Sequence, residues 1–231
     1  MGTGKSPAGK AASKANNSAK AQTKSNGLYD NVYVEGDAGP YQSRADEIVQ
    51  GVRDVLNDFG LNNELRGVYI SDKTNKRGAV AAAAMNGQGD LTIVKSYIAD
   101  DSVGKNPSTY VVSDTFYGTG AHEAGHLVVD QLTRKYLMPN ASRLEQATAR
   151  RLYKTEKEVL REAQRRYGSN PVISKYGSKT YGEKVAEAVS DVYANGNNAN
   201  AYSRVIVDVL KDIKKGKFKP KITVTKAQMG I

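Results

Sequence analysis

Ala121-His122-Glu123-Ala124-Gly125-His126-Leu127-Val128-Val129 holds both histidines of the chain. Four helical residues separate them, which amounts to about 400° of rotation and ~6 Å of rise. Both imidazoles therefore leave one helix face, a turn apart, and this spacing suits two ligands of a single zinc ion. Glu123 is rotated by roughly 100° from His122, so its carboxylate falls beside that ion and not on it. Leu127, Val128, Val129 and Leu132 give the same helix a core face. Gly125 is costly inside a helix and makes sense if another element packs tightly there.

The helix is expected from about Gly118 to Tyr136, ended by Pro139 and Asn140. Upstream, Ala45, Ile48, Val49, Val52, Val55, Leu56 and Phe59 repeat at helical spacing and predict a helix over 42–59, stopped by Gly60. Three short strands are expected at Gly67–Ser71, Ala79–Met85 and Leu91–Tyr97, with a hairpin turn over Asn86–Asp90. Downstream, Ser142 and Glu145 form a capping box for one long charged helix reaching Tyr167 and closed by Gly168. Residues 171–180 read as loop. A helix from Tyr181 to Tyr193 follows, then an amphipathic one marked by Tyr202, Val205, Ile206, Val209, Leu210 and Ile213. A small mixed or antiparallel sheet followed by a mainly helical part is an α+β arrangement.

A zinc site that does chemistry needs a third protein ligand and an open position. The chain has no cysteine and no further histidine, so that ligand is Asp or Glu. Glu183, Glu187 and Asp191 recur every four residues on one face of the 181–193 helix, and spacing alone leaves the choice among them open.

Residues 173–189, Ile-Ser-Lys-Tyr-Gly-Ser-Lys-Thr-Tyr-Gly-Glu-Lys-Val-Ala-Glu-Ala-Val, resemble the second zinc motif of the anthrax lethal factor family of zincin metallopeptidases. They also resemble the metallopeptidase-like domains of phage minor head (Mu F-like) proteins. Together with the histidine motif the resemblance covers roughly 115–215. It implies a zincin-like fold and a zinc-dependent endopeptidase of the two-histidine, one-glutamate type. His122, His126 and Glu183 then hold the metal and Glu123 is the general base. Tyr176 assists the oxyanion, and Glu187 orients a ligand histidine from behind. The family's aromatics around the second helix are replaced by Lys184, Val185 and Val189. Thermolysin-like zincins resemble a second register, with Glu187 as ligand and Asp191 behind it; the spacing of Tyr176 fits only the first. A membrane-bound ATP-dependent zinc protease also carries His-Glu-Ala-Gly-His, but no ATPase module accompanies it here.

The partner this implies is a protein or peptide substrate, drawn as an extended segment along the Leu91–Tyr97 strand. Net charge is +10, with lysines at 5, 10, 14, 20 and 24 and again from Lys211 to Lys226. That excess fits an acidic partner, nucleic acid included, or two solvated basic tails, the simpler reading. The expected organisation is a tail over 1–27, a domain over 28–215 and a C-terminal tail over 216–231. No apolar run is long enough for a membrane span. No secretory segment is recognised, so cytoplasm or a phage virion is the expected location. Two other classes stay in view: a non-catalytic zinc-binding module of a phage head protein, and a basic nucleic-acid-associated protein.

Overall fold

The computed structural model describes residues 27–72, 82–105 and 110–231. The N-terminal tail up to residue 26 and the start of the strand expected at Ala79 lie outside them.

The sheet is built from β1 (Tyr33–Glu35), β2 (Gly67–Ser71), β3 (Ala83–Met85) and β4 (Asp90–Val94). Its order is β1-β2-β4-β3. The first two pairings are parallel and β3 runs antiparallel to β4, with Ala83 opposite Ile93 and Met85 opposite Leu91. The sheet is thus mixed. β4 lies between two neighbours, so the expectation of an open edge at Leu91–Tyr97 is corrected: the edge belongs to β3. The chain also leaves strand geometry at Lys95, and Lys95–Ile98 is a helical turn, α2. The turn over Asn86–Asp90 forms as expected, with Asn86 Oδ1 accepting from the N–H groups of Gln88 and Asp90.

Helix α1 (Gln42–Asp58) buries Ala45, Ile48, Val49, Val52, Val55 and Leu56, the residues its periodicity selects. Each large apolar side chain so buried contributes about 2 kcal/mol. It lies against α3 (Phe116–Leu132), the helix of the two histidines. The two backbones nearly touch. A Cβ on Gly120 would stand 1.9 Å from Ile48 O, and one on Gly51 2.2 Å from Tyr117 O. Thr115 caps α3 by accepting from Gly118 N–H. Beyond Leu132 the helix widens into one π turn over Thr133–Leu137.

The capping box at Ser142 and Glu145 is present. The single long helix it was to open is instead two, α4 (Arg143–Arg151) and α5 (Lys154–Tyr167). Tyr153 breaks it in the left-handed region, at φ 51°. The break sets the Tyr153 ring against Gly182, where an added Cβ would meet Tyr153 Cε1 at 2.8 Å. A tertiary contact thus overrides strong local helix propensity.

Helices α6 (Tyr181–Asn195) and α7 (Ala201–Lys214) complete the core. Residues 216–231 do not form the detached tail expected. Phe218 packs on the core, Pro220 is buried, and a capped turn, α8 (Lys226–Met229), lies on α4 with Arg151 donating to Gln228 O. These segments carry enough apolar surface to dock, which the lysine count obscured. Among the described residues no helix is long and apolar enough to cross a membrane.

Candidate metal centre

Helices α3 and α6 cross with Gly125 at the contact. A Cβ there would lie 3.0 Å from Ala186 Cα and 3.2 Å from Val189 Cβ. This close approach brings the acidic face of α6 onto the histidine face of α3. Thr180 starts α6 by accepting from Glu183 N–H, which puts Glu183 in the first turn.

One ligand atom from each of His122, His126 and Glu183 falls within 4.8 Å of the others, a grouping able to hold a metal ion. Glu183 Oε2 is 3.1 Å from His122 Nε2 and 3.6 Å from His126 Nε2. Glu187 stands behind. Its Oε1 is 3.0 Å from His122 Nδ1, and its Oε2 accepts from Val112 N–H at 2.9 Å. Nδ1–H donating to a buried carboxylate fixes the tautomer that leaves Nε2 for a metal. Asp191 is elsewhere: it accepts from Asn195 Nδ2 and from Asn200 N–H, tying α6 to the start of α7. The register with Glu187 as ligand and Asp191 behind it is therefore not the one this geometry assembles.

Two imidazole nitrogens and one carboxylate oxygen match the donor set of a zinc site that keeps a position for water or substrate. The charges respond to this crowding. Burial acts to lower the pKa of His122, but its hydrogen bonds to the Glu183 and Glu187 carboxylates outweigh this and raise it to about 10. Glu183 is itself partly buried, which acts to raise it, yet the bonds to His122 and His126 hold it far below the usual carboxylate range. The cluster is thus charge-paired, and a bound cation would replace protons on the imidazoles.

Glu123 lies off the ligand face, as its rotation predicts. Its Oε2 accepts from Met85 N–H at 3.0 Å. That bond follows from the ladder. Ala82 O accepts from Val94 N–H and Asn86 N–H donates to Asp90 O. The alternation of an antiparallel pair then turns Ala83 and Met85 away from β4. That side of β3, on which no strand is paired among the described residues, consequently runs past Glu123. Tyr176 is brought to the same place: its ring is 5.6 Å from that of His122. Burial, with the negative charges of Glu183 and Glu123, raises its hydroxyl to about 12, so it stays a donor. Lys179 Nζ sits 4.5 Å from the centre of the Tyr176 ring.

The sequence reading missed the groups beyond His126. Asp130 on α3 and Arg134 in the π turn that follows continue the four-residue series, a signal that could have exposed them. Asp130 is 2.7 Å from Arg134 Nη2 and 2.7 Å from Arg150 Nε. Arg134 Nη2 also donates to Gly87 O, holding the β3–β4 turn. Glu156, in the first turn of α5, is buried and faces the same region. Burial lifts its pKa to about 7.

Comparison of the chain with protein-family models, curated proteins and solved structures finds no match.

Proposed function

We propose that this chain is a zincin-type, single-zinc endopeptidase. The observation that carries the reading is the meeting of two histidines and a glutamate within metal-ligand reach, with a further carboxylate, Glu123, beside them and bonded to the backbone of β3. The resemblance read in residues 173–189 points to the same Glu183.

His122, His126 and Glu183 would hold the ion, and Glu187 would keep His122 in its ligating tautomer. Zinc in such a site supplies Lewis acidity, polarising a carbonyl and lowering the pKa of water to about 7. Glu123 takes the proton of the attacking water and returns it to the leaving amine. Its bond to Met85 N–H limits its rotation, so the base is held in place before substrate arrives. Tyr176 donates a hydrogen bond to the carbonyl oxygen as charge develops on it. The outward backbone groups of Ala83 and the Met85 C=O would pair with an extended peptide, Met85 N–H being held by Glu123, and this would set the scissile bond alongside Glu123.

The test is cleavage of a broad peptide library by the wild-type chain, before and after chelation and with zinc restored. Cleavage should vanish with chelator and return with zinc. In Glu123→Gln it should fall by about 10² or more with metal content unchanged, the scale of a lost general base. Cleavage that survives both treatments contradicts the proposal.

A further inference from the structure

We infer that the cavity beside His126 receives one basic side chain, lysine or arginine, of the bound peptide, with Glu156 as the group that selects it. This rests on the peptidase reading for the direction in which a peptide lies.

The cavity has a volume of about 250 Å³, room for one long side chain. Met85 and Asn86 at the end of β3 form one wall, His126 and Asp130 another, and Arg150 and Glu156 a third. A peptide paired along β3 points alternate side chains to the same face. One of them therefore falls over this opening.

The chemistry of the lining decides what fits. Arg134 and Arg150 each stand 2.7 Å from Asp130, and Arg134 also holds Gly87 O, while its Nε has no hydrogen-bond partner. An acidic side chain would meet the carboxylates of Asp130 and Glu156, which line the same cavity. Glu156 is 8% exposed, and its Oε2 has no hydrogen-bond partner. Among the described residues it takes part in no ion pair with lysine or arginine. An apolar side chain would leave that buried oxygen without a partner, whose cost it cannot relieve. A basic side chain supplies both the missing charge and the missing N–H donor.

The test uses the zinc-loaded Glu123→Gln protein, which should bind peptide without cutting it. Alanine-based heptapeptides with lysine placed at each position in turn are titrated at pH 8 against the same peptides carrying norleucine. At one position lysine should bind about tenfold tighter than norleucine, the scale of a charged hydrogen bond. In Glu123→Gln/Glu156→Gln that ratio should fall to near one, with norleucine binding retained. Glu156→Leu in the same background serves as a second variant, and both should unfold no more easily than the parent, because they remove a buried carboxylate without a partner. The inference is overturned by a ratio near one at every position, by a ratio that survives both Glu156 variants, or by no measurable binding of the lysine peptides. Wild-type cleavage separates the two claims. Lysine-selective binding without any cleavage leaves the cavity assignment standing and removes the peptidase reading. Cleavage without lysine selectivity does the reverse.

Discussion

Glu156 has a consequence for stability that needs no substrate. Its pKa in the folded chain is about 7, above the ordinary 4.5, because burial disfavours its charge. The folded state therefore binds more protons than the unfolded state between those values, and stability falls as pH rises from about 4.5 through 7. Glu156→Gln removes the dependence. Relative to wild type, the variant should gain stability progressively over that window, by on the order of 3 kcal/mol at pH 8. Urea midpoints at pH 5 and pH 8 check this. An equal shift at both pH values would mean the carboxylate is not held near neutral. At this scale the sequence was uneven. His122, Glu123 and His126 were legible because four-residue spacing is a local property of a helix. Glu156 was not, since nothing in Lys154-Thr-Glu-Lys-Glu158 tells a buried glutamate from a solvated one. Only the placement of the start of α5 beside the π turn, where the Thr155 and Thr133 hydroxyls hydrogen-bond, decides it.

At the scale of elements, the account depends on how α6 sits on α3. Gly125 lets the helices approach and Thr180 sets where α6 begins, and between them they turn Glu183 to the Nε2 atoms of His122 and His126 and Glu187 to His122 Nδ1. Glu183→Ala should therefore lose metal affinity more severely than Glu187→Ala. The latter should cost about 10–100-fold, as for groups that orient ligands from behind. Competition with a chelator of known affinity measures both, and the reverse order would put Glu187 on the metal. The face carrying Glu183, Glu187 and Asp191 was visible in sequence; which acid did what was not. Asp191 is taken by Asn195 and Asn200, a choice made by the path of the loop into α7. The split between α4 and α5 was also hidden. Every residue from Arg143 to Tyr167 tolerates a helix, and the contact that makes Tyr153 turn is with Gly182, far along the chain. β1, three residues long and exposed, offered no alternation to read.

At the scale of the molecule, one core unites the sheet with α1, α3, α5, α6 and α7. The C-terminal segment is part of the same body, contrary to what its lysines imply. Ending the chain after Lys215 removes the Phe218 contact, buried Pro220 and the α8–Arg151 bond. It should lower stability by on the order of 2 kcal/mol. Thermal unfolding indistinguishable from the full chain would show that the segment is a passive tail.

Metal content is the quantity on which the whole reading turns. Binding to the folded chain alone links zinc to stability, so saturating zinc should also raise the unfolding temperature. The most direct measurement is the zinc-to-protein ratio of purified wild type, His122→Ala and His126→Ala, taken after removal of free metal. The account predicts one zinc per wild-type chain and little in either variant, since two remaining ligands hold zinc poorly. A wild-type chain that takes up no zinc, or variants that keep the full amount, would contradict it.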